Sequence, residues 1–275
     1  MQLTAFEGKT LIYAHQARKG VDYQCPECKG KLRLRGGRLQ QLHFFHPYPR
    51  VVCTQNKKSL IHLNVQKYLY KSFKGSFMEY YFPKLNRFAD IVIPESKLIF
   101  EVQCSQISLI EVRARQEAYR QTGFELVWIL HDRTFNKRRL SESESYLRNF
   151  PCYYTNIDER RRGIIYDQLA IYSNVKRLYI GKKCPIWINK PLYPSQKSAA
   201  KYPDFLEQRR QNWPVYFKND LLDRAYHNLD LAKSLIKKEK EITGFTYKVK
   251  ESYRKVKSLF FEPTESVLTN LIMRM

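Results

Sequence analysis

The chain has 275 residues, enough for one well-buried core and for two domains with a small appended module. Aromatic residues make up 14% of it, with 20 tyrosines, which excludes a disordered chain. Lys and Arg number 49 against 26 Asp and Glu, and the formal net charge of +23 calls for a polyanionic partner; nucleic acid leads over a membrane surface because no apolar run approaches the length of a spanning helix.

Met1 to Tyr13 alternates like a pair of strands around Glu7-Gly8 and does not read as a signal peptide, so a cytoplasmic location is expected. Six cysteines spread over this length argue against a disulfide scaffold, and the trio near the N-terminus points to metal. Cys25-Pro26-Glu27-Cys28 is a Cys-x2-Cys knuckle of the kind that binds zinc, with Gly30 just beyond to let the chain turn. His43, His46 and Cys53 are candidates for the other two ligands, and the expected set is Cys25, Cys28, His46 and Cys53, with His43 as the alternative to His46. Lys31 to Arg35 alternates basic and apolar residues, as a strand with a basic exposed face does.

Lys58 to Phe73 has helical spacing at Ile61, Val65 and Tyr68 or Leu69, with Ser59 as N-cap and Gly75 as terminator. Phe77 to Phe82 follows as a strand carrying the lone acid Glu79. Residues 87–93 and 98–104 form a hairpin around Pro94-Glu95-Ser96-Lys97; with the turn centred between Glu95 and Ser96, Asp90 falls opposite Glu101 on one face. Two acids so placed in an apolar setting require a cation between them or a proton on one. A register shifted by one residue would instead put them on opposite faces as solvated side chains. Ser108-x-x-Glu111 is a capping box opening a helix to about Gln121, on which Glu111, Arg115 and Tyr119 lie a turn apart; Phe124 to Leu130 reads as a buried strand.

The resulting order, helix, three strands, helix, strand, is similar to the core of the PD-(D/E)xK nucleases, with Asp90 and Glu101-x-Gln103 in the places of the Asp and Glu-x-Lys. More closely, the chain resembles the competence-protein CoiA family. Cys25-Pro-x-Cys28, Leu32-Arg-Leu-Arg35 with Gly36, and His43-Phe-x-His46 match its zinc region. Ser59-x-x-His62, Arg87-x-Ala-Asp90, Glu101-x-Gln103-x-Ser105 and Trp128-Ile-Leu130 continue the likeness to about residue 155. The chain departs from many members in having Lys58 and Ile61 where they carry acids.

The resemblance implies a metal-dependent DNA nuclease or DNA-processing factor acting on incoming single-stranded DNA in natural transformation and recombination, with recombination or competence proteins as further partners. Asp90, Glu101 and the Val102 carbonyl would then hold Mg2+ or Mn2+ beside a structural Zn2+. Gln103, in place of the lysine, orients water or a phosphate oxygen without neutralising charge. Arg115 supplies that charge with Tyr119 holding it, or else Arg115 is only a surface partner of Glu111. Glu79 is a further metal ligand if its strand neighbours the hairpin in register. The rival reading is a non-catalytic DNA-binding and recruitment factor that keeps the nuclease fold.

The expected fold class is α/β (α+β), divided into a zinc-binding β module at 1–57, a restriction-endonuclease-like αβββαβ domain at 58–154, and a basic, mostly helical part at 155–275. That last part begins with short aromatic strands and a Pro-rich connection around Pro191 and Pro194. It continues with a helix from Asp220 to Glu241, the basic and aromatic stretch Tyr247 to Tyr253, suited to stacking on unpaired bases, and a helix opened by Thr264 and Glu265.

Overall fold

The computed structural model describes residues 2–37, 42–48, 53, 58–194 and 202–244. At the N-terminus, β1 (Thr4–Glu7), β2 (Thr10–Tyr13), β3 (Asp22–Gln24), β4 (Lys31–Arg35) and β5 (His43–Phe45) form an antiparallel sheet in the order β2-β1-β3-β4-β5. β4 buries Leu32 and Leu34 and exposes Lys31, Arg33 and Arg35, as its alternation predicts. The core of this sheet is small: Ala5, Ala14, Tyr23, Leu32, Leu34 and Phe44 pack with Cys25 and Cys53.

The central part follows the expected order: α1 (Leu60–Ser72), β6 (Phe77–Phe82), β7 (Arg87–Ile93), β8 (Leu98–Gln103), α2 (Leu109–Arg120) and β9 (Glu125–His131). The Ser59 hydroxyl caps α1 by accepting from the His62 N–H at 3.2 Å. At α2 only half of the capping box forms: Ser108 accepts from the Glu111 N–H at 3.2 Å, while the Glu111 carboxylate turns to Arg87 and Arg115.

The sheet does not stop at residue 155. After α3 (Glu142–Leu147) come β10 (Cys152–Thr155), a strand not anticipated from the sequence, and β11 (Ile165–Ser173) and β12 (Lys176–Pro185) in the stretch where short aromatic strands were expected, completing a seven-stranded sheet in the order β6-β7-β8-β9-β10-β11-β12. β9 runs parallel to both β8 and β10, and the other pairs are antiparallel. One face is covered by α1 through Val65 and Leu69 and by the C-terminal elements through Trp213, Phe217 and Leu221; the other takes α2 through Val112 and Tyr119.

Beyond the sheet the described chain is mixed in structure. Pro191 lies inside a strand, β13 (Trp187–Leu192), which pairs with β14 (Tyr216–Lys218). A two-stranded ribbon has open edges on both sides, so a proline there costs no central ladder bond. α4 (Asp204–Asn212) and α5 (Leu221–His227) follow, and the single helix expected over Asp220 to Glu241 is broken. Asn228 is extended at φ −142°, and its Oδ1 accepts from the Leu231 N–H at 2.9 Å, recapping a helix that resumes over 229–244. Tyr247 to Tyr253 and the helix at Thr264 lie outside the described residues. Among the described residues no helix is long and apolar enough to cross a membrane.

Candidate active site and zinc centre

The knuckle is a tight turn in which the Cys25 N–H donates to Gly30 O at 2.8 Å and the Lys29 N–H to Cys25 O at 3.0 Å. Lys29, one residue before Gly30, takes a left-handed conformation at φ +56°, and its Nζ donates to Pro26 O at 2.8 Å. This brings Cys25, Cys28, His46 and Cys53 together with all four ligand atoms within 4.8 Å of one another. Cys25 Sγ and Cys53 Sγ are 3.7 Å apart and Cys28 Sγ lies 3.1 Å from His46 Nε2. A tetrahedron built on Zn–S bonds of about 2.3 Å has S···S edges of about 3.8 Å, so the set fits one zinc ion. His43 sits on β5 opposite Arg35 and is not in the cluster.

The hairpin pairs Ile93 with Leu98, Val92 with Ile99 and Ile91 with Phe100, which is the register that puts Asp90 opposite Glu101. The ladder ends there. β7 stays paired with β6 down to Arg87, while β8 stays paired with β9 out to Gln103, so the two strands fork at the acids. Side chains take over the bonds the ladder gives up. The Val102 N–H donates to Asp90 Oδ2 at 2.8 Å, and the Tyr119 hydroxyl lies 3.0 Å from Phe88 O and 2.8 Å from Glu101 Oε1. Asp90 and Glu101 therefore meet at an open fork and do not stack as a closed cross-strand pair. Both line a cleft of about 680 Å3 together with Lys58, His62, Arg87, Gln103 and Arg115, and Glu27 of the zinc knuckle forms part of its wall.

The two acids are served by different layers. On the α1 side, Asp90 Oδ1 lies 3.0 Å from Lys58 Nζ, 3.1 Å from His62 Nε2 and 2.7 Å from Gln66 Nε2. On the α2 side, Glu101 Oε2 is paired with Arg115, which also donates from Nε to Glu111 Oε1 at 2.8 Å. Glu111 in turn accepts from Arg87 at 2.9 Å. Burial opposes charge at Asp90, but His62, Lys58 and the Val102 N–H outweigh it and hold the carboxyl well below the usual range. Burial dominates at Glu101 and, with the Asp90 charge, raises it to about 7 against the pull of Arg115. The Cys104 thiol in the same cleft is pushed by burial up to about 12, which keeps it from acting as a nucleophile.

The remaining expected residues are placed as follows. Gln103 donates from Nε2 to Ser105 O at 2.7 Å, along the cleft wall. Arg115 and Tyr119 both contact Glu101, so Arg115 is more than a surface partner of Glu111. Glu79 is on the edge strand in the row of Asp90, since β6 pairs Met78 with Ile91 and Tyr80 with Ala89. Its carboxylate accepts from Leu3 N and Thr4 Oγ1, both at 2.9 Å, and from Lys58 Nζ at 3.1 Å. It joins the zinc module to the sheet.

Gln66 was not singled out from the sequence, Lys58 entered it only as a departure from the family pattern, and His62 only as part of a family motif, none with a role at the acids. The available signal was a polar stripe, Lys58, His62 and Gln66, at successive four-residue steps beside the apolar stripe Ile61, Val65 and Leu69. Gln66 is fully buried, and its Oε1 has no partner among the described residues.

No curated protein and no solved structure matches the chain. The family described as competence protein CoiA, nuclease-like domain, matches residues 58–178, from the start of α1 into β12. Its span contains the fork, both acids and their partners on α1 and α2, and the resemblance drawn from the sequence motifs thus holds over this part of the chain, a CoiA nuclease-like domain.

Proposed function

We propose that the chain is a metal-dependent DNA nuclease or DNA-processing factor acting on incoming single-stranded DNA in natural transformation and recombination. The observation that carries this reading is the fork between β7 and β8, which opens the sheet where Asp90 and Glu101 line one cleft. In a strand a residue's N–H and C=O point to the same side; the Val102 N–H points at Asp90, so its carbonyl faces that side too. Two carboxylates and a carbonyl are hard oxygen donors that suit Mg2+ or Mn2+. An ion held there supplies Lewis-acid polarisation of the phosphoryl group and a more acidic bound water.

The protein's own contribution is electrostatic. Lys58 and His62 keep Asp90 ionised and ready to ligate, while Arg87 and Arg115 bring to the cleft the positive charge that neutral Gln103 lacks. Incubation of the zinc-loaded protein with single- and double-stranded DNA and Mg2+ or Mn2+, beside Asp90→Ala and Glu101→Ala, tests the proposal. Cleavage by the parent, reduced at least a hundredfold in both variants, is expected; binding without cleavage under either metal sinks it.

One observation favours the rival reading of a DNA-binding and recruitment factor. Each acid already carries a basic partner, Lys58 on Asp90 and Arg115 on Glu101, so the pair is neutralised from within the chain. On that reading both alanine variants bind DNA as the parent does.

A further inference from the structure

Three acids fall in one row when the strand registers are extended: Glu79 on β6 and Asp90 on β7 lie between the pairs Met78–Ile91 and Tyr80–Ala89, and Asp90 and Glu101 on β8 lie one step beyond the pair Ile91–Phe100. Like charges directly opposite one another on neighbouring strands repel, and all three are buried. Such a row has two gaps in which a cation can sit. The first, between Glu79 and Asp90, is filled: Lys58 Nζ lies 3.1 Å from Glu79 Oε1 and 3.0 Å from Asp90 Oδ1, and its side chain is only 10% exposed. Glu79 is fixed in that role from behind, because Leu3 N and Thr4 Oγ1 of the N-terminal sheet both donate to its other oxygen. Its backbone sits at φ +52°, a left-handed conformation that a Glu adopts only under such external constraint. The second gap, between Asp90 and Glu101, is the fork that opens to the cleft.

We propose that the Lys58 ammonium is a resident counter-ion standing where a second cation would otherwise bind, so that the site takes a single divalent metal ion, between Asp90 and Glu101. Lys58 is compact, carries three donors and reaches both carboxylates at once, which is the bridging role of a metal shared by two acids. Unlike a metal it cannot be chelated away, so Asp90 is held as a carboxylate before any ion arrives. The N-terminal sheet contributes by pinning Glu79, which orients Lys58. This inference rests on Asp90 and Glu101 being the metal ligands.

The test counts Mn2+ ions bound to the zinc-loaded full chain by electron paramagnetic resonance of the free ion at equilibrium. The parent is expected to bind one, Lys58→Met two, Lys58→Arg one, and Lys58→Met with Glu79→Gln one, since the extra site needs both carboxylates. Equal stoichiometry in Lys58→Met and the parent, or two ions in the parent, overturns the inference. No ion in the parent instead overturns the assignment of Asp90 and Glu101, while the difference between parent and Lys58→Met still decides the role of Lys58. Should Lys58→Met be unfolded in chelator, recovery of its melting transition with Mn2+ reports the added ion, and no recovery overturns the inference.

Discussion

Asp220 shows how a buried carboxylate is satisfied in this chain without any metal. It caps α5 by accepting from the Asp223 N–H at 2.8 Å, and it also accepts from the Tyr153 hydroxyl at 2.7 Å and the Phe217 N–H at 3.2 Å. Burial, reinforced by the charge of Asp167, nevertheless raises its carboxyl to about 7. A carboxyl raised in the folded state contributes stability that is present below its unfolded value near 4 and is lost as pH rises through about 7. The expected result is that the parent's unfolding free energy falls from pH 5 to pH 8 relative to Asp220→Asn, by an amount on the order of a few kcal/mol. Parallel pH profiles for the two proteins would contradict this. Asp167 itself is engaged by a bidentate Arg209, at 2.6 and 3.0 Å.

At the scale of elements, α1 and the zinc knuckle decide what reaches the cleft. The apolar stripe of α1 and its Ser59 cap were legible as a helix. The polar stripe beside it was not legible as a site, because its meaning depends on which strand the helix covers. The grouping at the knuckle was legible, since Cys-x2-Cys followed by His and Cys at this distance is a specific pattern, and Cys25, Cys28, His46 and Cys53 do come together while His43 is not among them. Zinc content measured on purified protein is expected to be one per chain in the parent and in His43→Ala. It should fall at least tenfold in His46→Ala and Cys25→Ser, each of which removes a ligand from the tetrahedron. Retention of zinc by His46→Ala would disprove the ligand set. The helix expected over Asp220 to Glu241 was misread at Asn228, because leucine spacing continues through the break while the recapping hydrogen bond is visible only in three dimensions.

For the whole molecule, a net charge of +23 makes binding to a polyanion the dominant long-range interaction. Binding to single-stranded DNA should weaken on a log–log plot against salt with a slope of about −0.7 for each phosphate neutralised. An affinity that does not change with salt would exclude a phosphate-driven mode. What the sequence by itself determined is what short-range pattern sets: the αβββαβ order, a hairpin with two registers to choose between, a Cys-x2-Cys knuckle with His46 and Cys53 as its expected companions, and a strongly basic net charge. These follow from side-chain periodicity, turn chemistry and ligand spacing, which act over a few residues to a few tens of residues. Only the tertiary structure decided that the hairpin forks at the acids, that α1 brings Lys58, His62 and Gln66 to Asp90, and that the first strand of the zinc module pins Glu79. Those contacts join residues 24 to 76 positions apart in the chain, and no local preference encodes them.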